Sequence, residues 1–389
     1  MVEAAVLRDA PAAGARAEAP LRLLVLTPKP KGVSPGQRFR LEQWAPRAAA
    51  RRNVTLDFLP FESPGLTKVV YQPGKYVEKA ARLSFDFLRR AGAVLRARRY
   101  DGVIVYREAA MLGPAIYERL VARLGVPLFF DFDDAIWAEG TGPKSGPNAL
   151  FSKLHFWGKT ATICRIASGV LVGNNYLADY ARQHNDNVHV IPTSIELESY
   201  PVQPELPADD PFVVVWSGST FTLPHFEHAR PALEALAKKR RVVAKVIGNK
   251  PPSRPIAGAE NVFVPWSENG EAESIGAAHV GIMPLFDDVF TRGKCGLKAL
   301  QYMATGLPVV ISPVGMNADL VEHGVNGYLA QTTEDLVERL DELARSPETR
   351  RRLGAAGRRT VEERYSAEVV SKLFADAVRG TIERRRAPT

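Results

Sequence analysis

Lys294 and Lys298 stand one helical turn apart in the stretch Gly293–Asn317, GKCGLKALQYMATGLPVVISPVGMN. Good helix formers run from Leu297 to Thr305, and Gly306 with Pro308 stops them. The first N–H groups of such a helix have no intrahelical acceptor, and both ammonium groups sit at that mouth. Gly293 and Gly296 carry no Cβ, so the backbone there can approach a ligand closely. These features predict an anion site, and a phosphate suits it best. A second group of chemically capable residues is acidic. Asp131, Asp133 and Asp134 follow the apolar run Pro127–Phe130 in DFDDAIW. Carboxylates at the C-terminal end of a parallel strand are costly to place unless something uses them.

Both groups need elements to hold them. Val309–Ile311 reads as a short buried strand behind the lysine helix. Earlier, Leu21–Leu26, a helix over Arg38–Arg52 and the strand Val54–Leu59 open a Rossmann-like half. The loop between them lacks G-x-G-x-x-G, so the dinucleotide fingerprint is absent. Arg38 and Arg40 lie where that loop becomes helix; they either reach substrate phosphates across a cleft or are solvated surface arginines. The pattern Lys75–Arg99 predicts a long basic amphipathic helix, which either lies on anionic lipid or faces solvent while packed on a sheet. Strands at Gly102–Tyr106, Pro127–Phe130, Gly169–Val172 and Val188–Ile191 continue the alternation, with helices at Leu112–Leu124 and His155–Ile166. Gly140–Asn148 is loop chemistry, a candidate flap, and Pro201–Pro211 reads as a linker. The second half restarts at the strand Phe212–Trp216. Its following loop, with Gly218, Ser219 and Thr220, suits close backbone approach to a diphosphate. Strands at Val242–Ile247, Val262–Val264 and His279–Pro284 lead to the lysine segment, and Tyr328–Ala330 is the last strand. Three helices, ending with one from Ser366 to about Arg384, complete the chain.

Gly306-Leu307-Pro308-Val309-Val310 and the helix before it resemble the donor-site signature of GT4-type glycosyltransferases of the GT-B fold. Many members carry two glutamates eight positions apart; those positions are Gly293 and Gln301 here. The segment is more similar to a sub-branch written GKCGxK…QYMAxG. The resemblance implies an α/β fold of two Rossmann-like domains facing across a cleft, with the last helix crossing back to the first. The implied acceptor domain is 21–195 plus about 370–389, the linker 196–211 and the donor domain 212–369. It further implies transfer of a sugar from a nucleoside-diphosphate sugar to a glycan, lipid-linked or small-molecule acceptor, with retention of configuration and domain closure. Helix N–H groups with Lys294 and Lys298 would stabilise the leaving diphosphate without a metal or other cofactor. Gly218, Ser219, Thr220, Lys250, Trp266, Gly293, Cys295, Gly296, Leu297 and Gln301 are then the donor-binding set. Relatives carry an Arg and a Lys after the Phe212–Trp216 strand, whereas Phe221–Arg230 has no lysine and only a late arginine. For Asp131–Asp134 three readings stand: the metal motif of GT-A transferases, the nucleophile motif of haloacid-dehalogenase-type phosphatases, or an acceptor-recognition loop. The second half favours the last, with Asp133 and Asp134 catalytic or acceptor-binding and Asp131, Arg38 and Arg40 along the cleft. A helix cap with an arginine partner is the bland alternative.

At 389 residues the chain suits two domains, and 46% hydrophobic with 24% charged residues is ordinary globular composition. The net charge of +8 fits a polyanionic ligand, an anionic membrane face or a GC-rich coding preference for arginine. No nucleic-acid-binding pattern accompanies it. Cys164 and Cys295 form no metal-ligand spacing, and the histidines are scattered packing, capping or surface residues. Residues 1–20 read as a disordered leader without an apolar core, so a cytoplasmic location is expected, with peripheral contact at the inner membrane face as one variant. Two rival functions remain. One is a non-catalytic nucleotide-sugar-binding partner in a polysaccharide assembly complex; the other is a nucleotide-sugar epimerase, for which no general acid–base pair is evident.

Overall fold

The computed structural model describes residues 18–70, 72–138, 156–207 and 211–387. Two six-stranded parallel sheets organise them. The first contains β1 (Leu21–Thr27), β2 (Val54–Pro60), β3 (Gly102–Tyr106), β4 (Leu128–Phe132), β5 (Gly169–Val172) and β6 (Val188–Val190), in the order β2-β1-β3-β4-β5-β6. The second contains β7 (Phe212–Gly218), β8 (Val242–Gly248), β9 (Glu260–Pro265), β10 (Val280–Met283), β11 (Val309–Ile311) and β12 (Tyr328–Leu329), ordered β12-β11-β10-β7-β8-β9. Several strands, β3, β4, β5, β10 and β11 among them, are buried along their whole length, as strands covered by helices on both faces should be. This is the expected α/β architecture.

Strand order reverses between β1 and β3 in the first sheet, and between β7 and β10 in the second. Open parallel sheets bind ligands at such points, beyond the carboxyl ends of the strands. The loops after β1, β3 and β4 therefore gather around one switch point, and those after β7 and β10 around the other.

The chain returns to its start. The Ala367–Arg386 helix packs Val370, Phe374, Val378 and Ile382 into the core that Leu21, Leu23, Trp44 and Leu171 form under the first sheet. Trp44 and Phe374 rings lie 5.2 Å apart. Arg379 donates to the carbonyls of Ala19 (2.9 Å) and Arg52 (2.6 Å), and Glu18 accepts from Arg52 at 3.1 Å. Residues 18–20, part of the expected leader, are therefore tied to the fold by hydrogen bonds; the rest of that leader, the Gly140–Asn148 flap and His155 lie outside the described residues.

Local departures follow from local chemistry. The expected Arg38–Arg52 helix begins as a wide turn, with Arg40 at φ −125° and ψ −108°, and becomes regular only from Gln43. The Lys75–Arg99 helix is regular over Tyr76–Leu95 and tightens to a 3-10 turn over Arg96–Arg99. Helix Pro64–Val70, which begins at a proline suited to a first helical turn, was not expected from the sequence pattern.

Candidate active site

Helix Leu297–Ala304 starts at Gly296, whose φ of +66° only glycine adopts without strain. No side chain caps this end. The N–H groups of Leu297, Lys298 and Ala299 are thus those that a helix leaves without an internal acceptor. Lys298 places its ammonium 5.5 Å from the Trp216 ring, and Lys294 places its own 4.8 Å from Phe290. Neither ammonium makes an ion pair among the described residues. Burial, then the neighbouring charge of Lys294, brings Lys298 down to about 7, against the pull of Asp134. Two lysines at a helix N-terminus, with no ion-pair partner among the described residues, make that helix end electropositive.

His225 stands beside them. It is buried, its Nδ1 has no hydrogen-bond partner among the described residues, and burial together with Lys294 and Lys298 lowers it to about 4. Neutral near pH 7, it adds no charge to the site. The other expected donor groups are differently employed. Ser219 N–H donates to Thr222 Oγ1 at 3.0 Å, and Thr220 N–H to Asn249 Oδ1 at 2.8 Å. Gly218 is required because a Cβ there would lie 2.4 Å from the Trp216 ring. The β7 loop is therefore tied internally and to the β8 loop, leaving the lysine helix as the open N–H source. Lys250 is exposed beyond β8.

The acidic loop comes from the other sheet. Asp133 Oδ1 accepts from Tyr106 Oη at 2.9 Å and from Arg107 Nε at 2.8 Å, while Arg107 also bonds to Asp134. Burial opposes the Asp133 charge, but Arg107, Arg40 and the Tyr106 hydroxyl together hold its carboxyl below the usual range. Burial, reinforced by Asp133, pushes Asp134 upward despite Arg107 and Lys294. Gly36 closes the cluster, since a Cβ there would fall 2.2 Å from Asp133 Oδ2. Arg107, held at φ +58°, escaped the sequence reading; its one signal was a charged residue directly after an apolar strand.

Arg40 and Asp131 are not cleft residues. Arg40 donates to both Asp131 oxygens, at 3.0 and 2.7 Å, and to the Ile191 carbonyl at 2.6 Å. Both side chains have 0% exposure. Burial works against the guanidinium, but Asp131 raises it overall, so Arg40 stays charged. This pair holds the β4 loop from beneath and touches no solvent.

The two halves meet at the glycine-rich segment itself. A Cβ on Gly293 would lie 2.5 Å from the Ala135 nitrogen, and one on Gly173 would lie 2.2 Å from Cys295 Sγ. Cys295 Sγ sits 3.2 Å from the Asp133 carbonyl oxygen, and Asn174 donates to the Lys294 carbonyl at 3.0 Å. The close approach that Gly293 permits is thus to the acidic loop. Across the same junction Arg38 reaches Glu268 (2.8 Å) and Glu271 (3.3 Å). Glu271 is buried and also accepts from Trp266 Nε1 at 2.7 Å and from Tyr200 Oη at 2.5 Å. Gln301 Nε2 donates to the same Tyr200 oxygen at 2.7 Å. Arg38, Trp266 and Gln301, singled out separately in the sequence, converge on Glu271, which no motif marks.

Among the described residues no group of three His, Cys, Asp or Glu side chains has the form of a metal site, and no helix is long and apolar enough to cross a membrane.

Residues 212–360 match the model of the family described as glycosyl transferases group 1. Over 75 residues the chain is 37% identical to spore coat protein SA of Bacillus subtilis, spanning 18% of this chain and 20% of that protein. Over 103 residues it is 35% identical to D-inositol 3-phosphate glycosyltransferase of Streptomyces griseus, spanning 26% and 21%. These matches span about a fifth of the curated relatives' lengths. The fold is similar to that of sucrose-phosphate synthase from Thermosynechococcus elongatus, with TM-score 0.68, 17% identity, 94% of this chain and 100% of that one. It is also similar to Anabaena HepE in complex with UDP and glucose, with TM-score 0.63, 16% identity, 92% and 100% coverage. The architecture is GT-B.

Proposed function

We propose that this protein is a glycosyltransferase that moves a sugar from a nucleoside-diphosphate donor to an acceptor hydroxyl. The observation that carries the reading is the uncapped N-terminus of helix Leu297–Ala304. Its two lysines, which make no ion pair among the described residues, lie within the segment that matches group 1 glycosyl transferases. As the bond from the anomeric carbon to the diphosphate oxygen breaks, negative charge grows on the leaving group. Fixed N–H dipoles and two ammonium groups stabilise that charge more in the transition state than in the ground state. The acceptor oxygen forms the new bond to the anomeric carbon, and its proton passes to the departing diphosphate or to solvent.

The acceptor approaches from the Asp133–Asp134 side, where Arg107 fixes both carboxylates for hydrogen bonds to sugar hydroxyls. Arg107 pairs with both acids, and on this reading neither recruits a metal. Retention of configuration and the nature of the acceptor, a glycan or a lipid-linked or small molecule, belong to the same proposal. That Anabaena HepE was solved with UDP and glucose supports a nucleotide sugar as the donor class.

The test is acceptor-dependent release of nucleoside diphosphate, after UDP, GDP, dTDP, ADP and their sugars are ranked by thermal shift with and without EDTA. One nucleotide should stabilise the protein irrespective of EDTA. Lys298→Ala should then lower turnover by about a hundredfold or more, with little change in melting temperature. Stabilisation abolished by EDTA would overturn the metal-free mechanism.

One observation favours a second reading. Gly293 is filled by Ala135 and Gln301 is engaged by Tyr200, at the two positions where the resembled family carries glutamates. A nucleotide-sugar-binding partner without turnover would show stabilisation by a nucleotide sugar but no product with any acceptor.

A further inference from the structure

The Tyr76–Leu95 helix leaves an apolar face uncovered. Val77, Ala81, Phe85, Leu88, Gly92 and Leu95 follow steps of four and three residues, which place them along one side of a helix. Val77 is 84% exposed, Phe85 61%, Leu88 73% and Leu95 63%. The opposite side is firmly anchored. Arg90 donates to the carbonyls of Leu59 and Thr27, both at 2.9 Å, and Arg89 to that of Pro60 at 2.8 Å. Phe87 packs 5.1 Å from Phe61 and 6.2 Å from Tyr117. The outward stripe is therefore not a frayed end but the open side of a packed helix.

Among the described residues, the charge around the stripe that has no ion-pair partner is positive. Glu78 is paired with Arg82, and Asp86 is buried against Ser63 and Arg89. Exposed Lys75, Arg98 and Arg99 make no ion pair among the described residues, and Arg96 bonds only to the Gly92 carbonyl. Exposed aliphatic and aromatic side chains flanked by unneutralised cations complement a surface with apolar depth and anionic heads. A protein partner would leave these cations unmatched unless it carried acids in register, whereas a bilayer supplies mobile anions everywhere.

We infer that this face docks the protein peripherally on an anionic phospholipid bilayer. Because Arg89 and Arg90 cap the carboxyl ends of β1 and β2, the docked helix lies at the same end of the first sheet as Arg107, Asp133 and Asp134. Docking presents the acidic side of the cleft toward the lipid, where an acceptor carried on a lipid would be reached. The surface is separate from the nucleotide site, and binding is measured without donor or turnover, so the two readings fail independently.

The experiment is co-sedimentation of the full chain with vesicles of phosphatidylcholine alone, and of phosphatidylcholine with phosphatidylglycerol, at low and high salt. Binding should require phosphatidylglycerol and weaken with salt. Phe85→Ser with Leu88→Ser should weaken it about tenfold or more, by removing the inserted apolar area. Arg96→Gln with Arg98→Gln and Arg99→Gln should do the same or more by removing surface charge. All five positions are exposed, and thermal melts establish that both variants fold. Absence of binding, or binding that both variants retain, overturns the inference. So does a wild-type dimer in light scattering that Phe85→Ser with Leu88→Ser converts to monomer without any vesicle binding, because the face would then join two copies of the chain.

Discussion

Lys298 couples donor binding to protons. Its ammonium titrates near 7 in the folded chain, lowered by burial and by Lys294, whereas an unfolded lysine titrates near 10.4. Between those values the unfolded chain holds more protons at this position, so this group makes stability rise with pH from about 7 upward. A diphosphate placed at the helix mouth favours the charged form and returns the proton. Calorimetric titration of the stabilising nucleotide at pH 8 to 9, in buffers of different ionisation enthalpy, should report net proton uptake. Lys298→Met should remove most of that uptake. Uptake unchanged in Lys298→Met would show that another group takes the proton, and His225 would be the next to replace. The lysines were legible because charge next to a helix start is a local pattern. Glu271 and Arg107 were not, because what makes them matter is the set of neighbours that folding brings from distant positions.

Two glycines of one short element do different physical work. Gly296 needs its positive φ, while the nearest atom to a Cβ there is 3.5 Å away, so Gly296→Ala should cost about 1 kcal/mol from conformation alone. Gly293 has an ordinary φ of −73°, and its constraint is the Ala135 backbone 2.5 Å from an added Cβ. Backbone cannot step aside as a flexible side chain can, so Gly293→Val should push the lysine loop away from the acidic loop. Turnover should fall at least as far as in Lys298→Ala, with a drop of several degrees in melting temperature. Full activity in purified Gly293→Val would mean that the two loops need not touch in the working state. Sequence reading saw both glycines and assigned them one purpose, since spacing alone cannot separate a turn requirement from a packing requirement.

Across the molecule, a latch links the halves. Arg38, from the loop region after β1, pairs with Glu268 and Glu271 beyond β9, and Tyr200 of the connecting segment joins Glu271 to Gln301. Arg38 is mostly buried while Glu268 is open to solvent, so the outer pair contributes little and the inner one more. Arg38→Ala should release this contact and increase the radius of gyration seen by small-angle scattering, with nucleotide restoring compactness. It should also raise the KM for donor more than it lowers kcat, since closure would have to be driven by ligand binding. An unchanged scattering profile would assign the junction to the Gly293–Ala135 and Gly173–Cys295 contacts alone.

The sequence by itself determined the alternation of buried strands and helices, and with it two parallel sheets, because side-chain periodicity and Gly/Pro stops act over a few residues. It also determined a cationic helix mouth and an acidic strand end. Tertiary structure decided what those groups face. Folding gave Asp133 and Asp134 to Arg107, sealed Arg40 onto Asp131, and bound Trp266, Arg38 and Tyr200 to one buried glutamate, with Gln301 held on Tyr200. Such assignments depend on contacts between residues up to 233 positions apart, and no local pattern encodes which distant partner will satisfy a buried charge.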